Sequence, residues 1–381
     1  MLDADNLRLP RSLLFVVPRF HTNLAVAVRA LDRAGCKVHV FSPGEGTIED
    51  HSVVTPRLIP ASASRREVWA SVRAINPDLI FIRACKPLSR QVGYFARIFG
   101  VRSYSYGLSP VTKRPEWGRQ IERLLHGQPR RRITPVPGLS PTGAADKQAI
   151  YLPWPVEATM NPKARAAPHQ VPLRILCVGK LHQPRKNQDK LVSALDGLNR
   201  PSEMQLTLVG SASQRASGGS LQHWESLAAR AAETGGRMRV EIRADVPYSE
   251  MPGIYAQHDI CVLPADREPL GMAPLEAMAY GLVPVFSTQC GSAGCVTDGQ
   301  DGFVIDANHP PAMQALFSRL LDDREIVARV GSAARETAEG PLGPDAFLRR
   351  ISALYTGSNN ELTSTRTTGD PDERTLVGTR H

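Results

Sequence analysis

Residues 259–286, DICVLPADREPLGMAPLEAMAYGLVPVF, contain the pattern that decides the fold. Two short apolar runs, at 260–263 and 282–286, predict strands of a parallel sheet that is buried on both faces. Between them, Pro274 suits the first turn of a helix and Gly281 suits the position just past its end. We therefore expect a polar loop at the carboxyl end of a strand, where open α/β sheets bind ligands.

Two carboxylates fall within this stretch, one in the loop and one in the predicted helix. Glu268 lies in the loop near Gly271, which lets the backbone come close to a ligand. Glu276 is predicted in the first helical turn, where the helix dipole favours a Glu even without a ligand. Asp266 and Glu268 could instead form a metal-binding pair, but Arg267 separates them and no further oxygen ligands cluster nearby. We therefore predict no metal site.

The segment EPLGMAPLE places seven residues between Glu268 and Glu276, and AMAYGLVPV follows it. This pattern resembles the donor-site signature of retaining glycosyltransferases of the GT-B fold, in particular family 4 (glycosyl transferases group 1). The resemblance implies an α/β fold with two Rossmann-like, doubly wound domains facing a central cleft. It also implies that Glu268 lies by the transferred sugar and that Glu276 bonds the ribose hydroxyls of the nucleotide. The implied donor site further includes Leu270, Gly271, Met272 and Ala273.

A second polar loop follows the predicted strand Leu173–Val178 and precedes a predicted helix at 188–198. This arrangement collects a phosphate on backbone N–H groups and cations. The loop, VGKLHQPRKN (178–187), resembles the family segment whose two basic residues hold the diphosphate; the matches are Lys180 and Lys186. A pair of exposed lysines is the alternative interpretation. Glu268, Lys180 and Lys186 are the predicted catalytic residues. The two lysines can stabilise charge on the departing diphosphate without a cofactor.

The first half opens with a βαβ pattern typical of a doubly wound domain. Apolar strands are predicted at 13–17 and 36–42, with a helix between them. Residues 23–42 resemble the first helix and second strand of family-4 N-domains.

Basic side chains that follow two strands predicted in the first half, 13–17 and Leu79–Ile82, are candidates for the acceptor side of the cleft. We assign Arg19, His21 and Arg83 to it, although solvated basic side chains are the more common situation. The family often has a Gly-Gly pair in the first loop and a His near residues 105–107, and this chain has neither at those places.

The chain is long enough for two domains, each with its own core. Prolines at 153, 155, 162, 168 and 172, with Ala and charged residues among them, are typical of a linker. The predicted parts are an N-terminal Rossmann-like acceptor domain (1–156), a linker (157–172), a C-terminal Rossmann-like nucleotide-sugar donor domain (173–343), a helix that returns to the N-domain (344–356) and a disordered tail (357–381).

Positive charge is concentrated in the first half. Residues 1–156 hold 23 Lys and Arg against 11 Asp and Glu, whereas the whole chain holds 46 against 37. This predicts an acceptor that is anionic or carried on a lipid, with peripheral contact to an anionic membrane. No aromatic interleaving or nucleic-acid fold signature supports a nucleic-acid partner.

Apolar runs and cysteines indicate the compartment. No apolar run approaches the length that crosses a bilayer, and the N-terminus lacks the apolar segment of a signal peptide. Six scattered cysteines lack zinc-site spacing, so we expect buried thiols in a reducing compartment. The expected location is the cytoplasm, with the inner face of the membrane as a further option.

The predicted function is transfer of a sugar, with retained anomeric configuration, from a UDP- or GDP-linked donor. The acceptor would be a hydroxyl of a glycan or lipid-linked molecule, in the synthesis of cell-surface polysaccharide or glycoconjugates. One alternative is a related protein that binds a nucleotide sugar without transferring it. A nicotinamide enzyme would instead need G-x-G-x-x-G after the first strand, and PRFHTN (18–23) does not provide it.

Overall fold

Two parallel sheets form the framework of the chain. The computed structural model describes residues 7–44, 53–112, 129–138, 148–160, 172–200, 203–212, 221–234 and 238–358, and positions 121, 127 and 146. The first sheet contains β1 (Ser12–Val16), β2 (Lys37–Ser42), β3 (Arg57–Leu58), β4 (Leu79–Arg83), β5 (Arg102–Tyr106), β6 (Arg132–Thr134) and β7 (Ala149–Tyr151), in the order β3-β2-β1-β4-β5-β6-β7. The second contains β8 (Leu173–Val178), β9 (Met204–Gly210), β10 (Arg239–Ala244), β11 (Ile260–Leu263), β12 (Val283–Ser287) and β13 (Phe303–Ile305), in the order β10-β9-β8-β11-β12-β13.

Helices cover both faces of the sheets, as a doubly wound fold requires. In the described part of the first domain they are α1 (Ala25–Arg33), α2 (Arg65–Ile75) and α3 (Leu88–Ile98). In the described part of the second half they are α4 (Gln188–Asp196), α5 (Leu221–Glu233), α6 (Met251–Tyr255), α7 (Met272–Met278), α8 (Pro310–Asp322), α9 (Arg324–Glu339) and α10 (Pro344–Thr356).

The central strands are buried on both faces because their side chains alternate between two apolar clusters. Phe15 of β1 packs in a cluster that includes α1 and α10, whereas Leu14 and Val16 pack in a cluster with α2 and α3. The first of these clusters continues into the second domain, where it includes Leu270. The apolar core therefore extends from one domain into the other.

The last helix returns to the first domain. The hydroxyl of Tyr104 in β5 donates to the carbonyl oxygen of Leu354 in α10 over 2.9 Å. Trp154 is fully buried, and its ring centroid lies 6.2 Å from that of Phe347 in the same helix. The Trp154 indole N–H donates to the Tyr106 hydroxyl over 3.2 Å. These contacts fix α10 against the first sheet.

Two glycines bring the backbones of the two domains into direct contact. Gly294 lies in the 3₁₀ turn Gly291–Cys295 after β12, and a Cβ there would overlap the carbonyl oxygen of Gly138 beyond β6. Nearby, the hydroxyl of Tyr151 lies 3.4 Å from the Sγ of Cys295. At Gly294 the domains therefore meet with no side chain between them.

Most predicted elements agree with the structure. The strands predicted at Leu173–Val178 and 260–263 are confirmed with the same bounds, and the helix predicted at 188–198 ends two residues earlier, at Asp196. The sequence analysis did not predict β3 and β7, because runs of two and three residues give too little periodicity. The tail from residue 359 onward lies outside the described residues.

The predicted burial of the cysteine thiols agrees in part with the structure. Five of the six are buried and Cys85 is half-buried, and none of these six described residues forms a disulfide. Burial raises the pKa of the Cys290 thiol to about 12 and that of Cys36 to about 11. These thiols are therefore protonated at neutral pH.

Candidate active site in the interdomain cleft

A cleft of about 600 Å³ lies between the carboxyl ends of the two sheets. Loops after β1, β8 and β11 and the last residue of β4, Arg83, contribute to its walls. It is lined by all the residues predicted for the site: Arg19, His21 and Arg83 from the first domain, and Lys180, Lys186, Glu268, Leu270, Gly271, Met272, Ala273 and Glu276 from the second. The structure brings the two predicted sides together in one cavity, and the role of each residue stays a prediction.

The loop after β11 ends in a tight turn at Gly271. Its φ is 81°, and a Cβ there would overlap the Sγ of Cys290, so the turn requires glycine. The helix α7 begins directly afterwards at Met272, which places Glu276 in its second turn. The prediction that Glu276 lies in the first turn, where the dipole would favour it, is therefore wrong. Gly281 has a φ of 74° just past the helix, as predicted.

Glu268 is held by two basic side chains of the loop after β8. Its Oε2 lies 2.5 Å from the Nζ of Lys186 and 3.0 Å from the Nη1 of Arg185. Burial would raise the pKa of Glu268, but the ammonium of Lys186 and the guanidinium of Arg185 outweigh it, so the pKa lies below its ordinary value. The carboxylate is therefore ionised at neutral pH, between two cations.

Arg185 is a site residue that sequence reasoning missed. It lies between Pro184 and Lys186 in a 3₁₀ turn, and its side chain also lines the cleft. The arginine in HQPRK (182–186) was visible in the sequence, but the direction of its side chain depends on that turn. Asp266 faces a different cation, because its Oδ2 lies 3.7 Å from the Nζ of Lys190. Asp266 and Glu268 thus have separate partners rather than forming a pair.

Backbone contacts fix the loops that carry these charges. The N–H of Glu268 donates to Gln289 over 3.1 Å, and its carbonyl oxygen accepts from Gly291 over 2.8 Å. The side-chain amide of Asn187 donates to the carbonyl oxygen of Pro264 over 2.8 Å, which joins the loop after β8 to the loop after β11. The loop carrying Lys186 is therefore tied to the loop carrying Glu268.

Glu276 lies in a different environment, among tyrosines. Its Oε2 accepts a hydrogen bond of 2.7 Å from the Tyr255 hydroxyl. Burial raises the pKa of Glu276 above its ordinary value, against the opposing effects of Tyr255 and of the Arg29 guanidinium. The Glu276 carboxylate, together with burial, raises the pKa of Tyr248, which lines the same cleft.

A smaller cavity of about 170 Å³ lies behind Glu276. It is bounded by Arg29 of α1, by Glu157, and by Tyr248, Tyr255 and Tyr280 of the second half. The Nε of Arg29 lies 3.5 Å from the Oε1 of Glu157. A basic residue of the first domain therefore lies close to the predicted ribose-binding carboxylate of the second. No sequence pattern links Arg29 to Glu276, because they are far apart in the chain and meet only when the domains pack.

Comparison with known proteins identifies the architecture. Residues 163–337 match the model of the family described as glycosyl transferases group 1. A glycosyltransferase structure from Rickettsia africae superimposes with a TM-score of 0.71 at 14% identity, covering 93% of this chain and 99% of that one. The fold is GT-B. The Anabaena protein HepE, solved in complex with UDP and glucose, shares this GT-B arrangement with a TM-score of 0.67 at 15% identity, covering 91% of this chain and all of that one.

Curated relatives match part of the chain. The GDP-mannose-dependent alpha-(1-6)-phosphatidylinositol monomannoside mannosyltransferase of Mycolicibacterium smegmatis is 31% identical over 172 residues, which are 43% of this chain and 42% of the relative. The chain spans about half the length of the curated relatives it matches.

The first-domain side of the GT-B cleft is basic and aromatic. The Nε of Arg19 donates to the Nε2 of His21 over 3.1 Å. The guanidinium of Arg83 lies 5.3 Å from the centre of the Tyr106 ring, within cation–π distance. Positive charge at this wall faces Glu268 and Lys186 across the cleft. This wall can therefore attract anionic groups.

The described residues of the GT-B chain contain no group of three or more His, Cys, Asp or Glu side chains placed to hold a metal ion. Separately, none of the helices described is both long and apolar enough to cross a bilayer.

Proposed function

We propose that this chain is a retaining, metal-independent glycosyltransferase of family 4 that moves a sugar from a UDP- or GDP-linked donor to a hydroxyl. The acceptor is a glycan or a lipid-linked molecule of cell-surface polysaccharide or glycoconjugate synthesis, and a peripheral contact with an anionic membrane belongs to the same proposal. The observation that carries it is the convergence of Glu268, Lys186 and Arg185 in the cleft, with Glu276 on the same wall.

The positions of the cleft residues define the orientation of the bound donor. The diphosphate lies at Lys180 and Lys186, the sugar lies at Glu268, and the ribose lies at Glu276. The backbone N–H groups at the start of α7, which opens onto the cleft, are available to the sugar and phosphate oxygens. All these groups are in place before the reaction, so stabilising the transition state requires little reorganisation.

The chemistry follows from the charges. As the bond between the anomeric carbon and the phosphate oxygen breaks, negative charge grows on the diphosphate and positive charge grows on the sugar ring. Lys180, Lys186 and Arg185 stabilise the first, and the ionised Glu268 stabilises the second. Each preorganised group of this kind typically contributes about 2.7 to 4 kcal/mol to lowering the barrier.

Retention requires that the acceptor oxygen replaces the phosphate oxygen on the same face of the sugar. Glu268 and Glu276 are the acidic side chains along the described lining of the cleft. Glu268 is paired with two cations and Glu276 is assigned to the ribose. We therefore assign the proton of the acceptor hydroxyl to the departing phosphate, which gains basicity as its bond to carbon breaks.

A thermal-shift screen against UDP, GDP and their sugar conjugates tests the donor site. A nucleotide at about 100 times its dissociation constant should add roughly 2.7 kcal/mol of stability. Glu276→Ala and Lys186→Ala should abolish the shift. Lys190→Ala is the matched control, because Lys190 is in the neighbouring helix and pairs with Asp266 outside the cleft. No shift with any nucleotide, in folded protein, would contradict the proposal.

Product analysis tests the transfer. The M. smegmatis relative is named for GDP-mannose and a phosphatidylinositol glycolipid, and HepE was solved with UDP, so both donors are tried with glycan and lipid acceptors. Nuclear magnetic resonance of the product should show the donor's anomeric configuration. An inverted product would exclude the retaining mechanism. Nucleotide binding without transfer or donor hydrolysis would favour the non-catalytic alternative.

A further inference from the structure

The outer surface of the first domain carries an exposed apolar group at the end of α3. Ile98 is 61% exposed and the adjacent Phe99 is 44% exposed. Phe99 packs edge-on against Trp69 of α2, with ring centroids 5.7 Å apart. Trp69 is itself half-buried. The exposed surfaces of α2 and α3 join at this contact between Trp69 and Phe99. Two adjacent large apolar side chains at this exposure mark a binding surface more often than isolated ones do.

The same surface is strongly basic. α2 and α3 carry five basic side chains, Arg65, Arg66, Arg73, Arg90 and Arg97, against the single carboxylate of Glu67. That carboxylate accepts from the N–H of Ser64 over 2.7 Å and keeps its charge, which leaves an excess of four positive charges on the two helices. An anionic partner therefore meets a net positive field here.

Arginines cover the aromatic rings of this surface. The guanidinium of Arg73 lies 4.7 Å from the centre of the Phe99 ring, and that of Arg65 lies 5.9 Å from the Trp69 ring. Rings covered in this way offer poor platforms for stacking nucleic-acid bases. Exposed aliphatic and aromatic groups beneath long cationic side chains suit the membrane interface instead, where the apolar parts enter and the charges stay at the headgroups.

We propose that this α2–α3 face, formed by Arg65, Arg66, Arg73, Arg97, Ile98 and Phe99, docks on a bilayer containing anionic phospholipid. Ile98 and Phe99 enter the interfacial layer, and the arginines bind lipid phosphates. α3 starts at Leu88, shortly after Arg83 at the cleft, and its 11 residues span about 16 Å. Docking through Ile98 and Phe99, at the other end of α3, therefore places the cleft about 16 Å or more from the lipid surface. If the proposed function holds, the acceptor is a lipid whose headgroup is long enough to span that distance.

Sedimentation of the full chain with vesicles tests the docking. Phosphatidylcholine vesicles with and without phosphatidylglycerol are compared at low and high salt. Binding is expected with the anionic vesicles and should weaken as salt rises. Arg73→Ala with Arg97→Ala should reduce partition by about fivefold for each arginine removed. Ile98→Glu with Phe99→Glu should abolish binding, because two carboxylates replace the inserted groups.

The matched control is Arg243→Ala with Arg335→Ala, which removes the same charge from exposed positions of the second domain. Equal sedimentation of this control and of the Arg73 and Arg97 variant would overturn the proposal. Binding to a duplex DNA oligonucleotide without binding to vesicles would overturn it as well.

Each variant is also tested for the nucleotide thermal shift, which shows that it is folded. Loss of vesicle binding with an intact shift supports the docking face. A chain that binds vesicles but no nucleotide keeps the docking face and loses the proposed function.

Discussion

The Nζ of Lys186 lies 2.5 Å from the Oε2 of Glu268, so the cation assigned to the diphosphate and the carboxylate assigned to the sugar contact each other. Their side chains are only 10% and 12% exposed. Arg185 contacts the same carboxylate oxygen. The bond that breaks in the proposed reaction joins the sugar to the diphosphate, so it lies where these two assignments meet. A donor diphosphate must share Lys186 with Glu268.

Replacing Glu268 should therefore separate binding from chemistry. Glu268→Gln frees Lys186 for the diphosphate, so the dissociation constant of UDP or GDP should change less than threefold. The rate constant kcat should fall by about 10²- to 10³-fold, because the charge that opposes the developing positive sugar is lost. Steady-state kinetics and nucleotide titration measure the two quantities. Asp266→Asn is the control, and a Glu268→Gln enzyme with near-normal kcat would contradict the assignment.

The Lys186–Glu268 pair should also make stability depend on pH. The pKa of Glu268 is lowered from an ordinary value of 4.5, so near and below that value the unfolded chain binds more protons than the folded chain. The stabilisation is complete above pH 4.5 and is lost as pH falls through the folded pKa. Removing one partner should cost about 1 to 3 kcal/mol at neutral pH. Denaturant unfolding of the native chain and of Glu268→Gln should show this difference shrinking at acid pH. A difference that does not vary with pH would count against the pair.

The ionised Glu276 should lower the stability of the fold at neutral pH, whereas the ionised Glu268 raises it. Its pKa is raised, so the folded chain binds more protons and stability decreases as pH rises from about 4.5 through the folded pKa. Glu276→Gln removes this loss and can still accept from Tyr255, so its melting temperature at neutral pH should equal or exceed that of the native chain. The nucleotide-dependent shift should shrink, because an amide accepts from the ribose hydroxyls more weakly than a carboxylate does. Tyr255→Phe is the companion variant, and a Glu276→Gln chain with an unchanged nucleotide affinity would refute the ribose assignment.

Gly271 should tolerate no side chain. Gly271→Ala places a methyl group against the Sγ of Cys290 in a backbone conformation that L residues rarely adopt. We expect a loss of about 1 to 3 kcal/mol in the free energy of unfolding. Cys290→Ala in the same chain should recover part of the loss, because it removes the overlap with the sulfur but neither the overlap with the Leu263 side chain nor the backbone strain. Chemical denaturation of the four chains of the double-mutant cycle measures this. Fully additive losses would show that the sulfur contact is not the cause.

Local sequence patterns predicted those parts of the site that depend on one loop. The order of strand, loop and helix places Glu268, Lys180 and Lys186 at the edge of the sheet, and the structure puts them in one cleft. The placement of Glu276 in the first turn was wrong because Gly271 ends the loop with a left-handed turn and α7 begins at Met272, which keeps Pro274 in the first turn but moves Glu276 into the second. Arg29 was not predicted at all. Its position depends on packing between domains, for which a single sequence carries no periodic signal.

The contact between Gly294 and Gly138 has a consequence for how the cleft can vary. The main chains already touch there, so the separation of the domains at that point is at its lower limit. Any other amino acid at position 294 adds volume and can only push the domains apart. Substitutions at Gly294 can therefore change the separation of the domains in one direction only. It can widen the cleft and so lengthen the gap between Arg29 and Glu276, but it cannot narrow the cleft, and a chain selected for a smaller acceptor would have to change elsewhere.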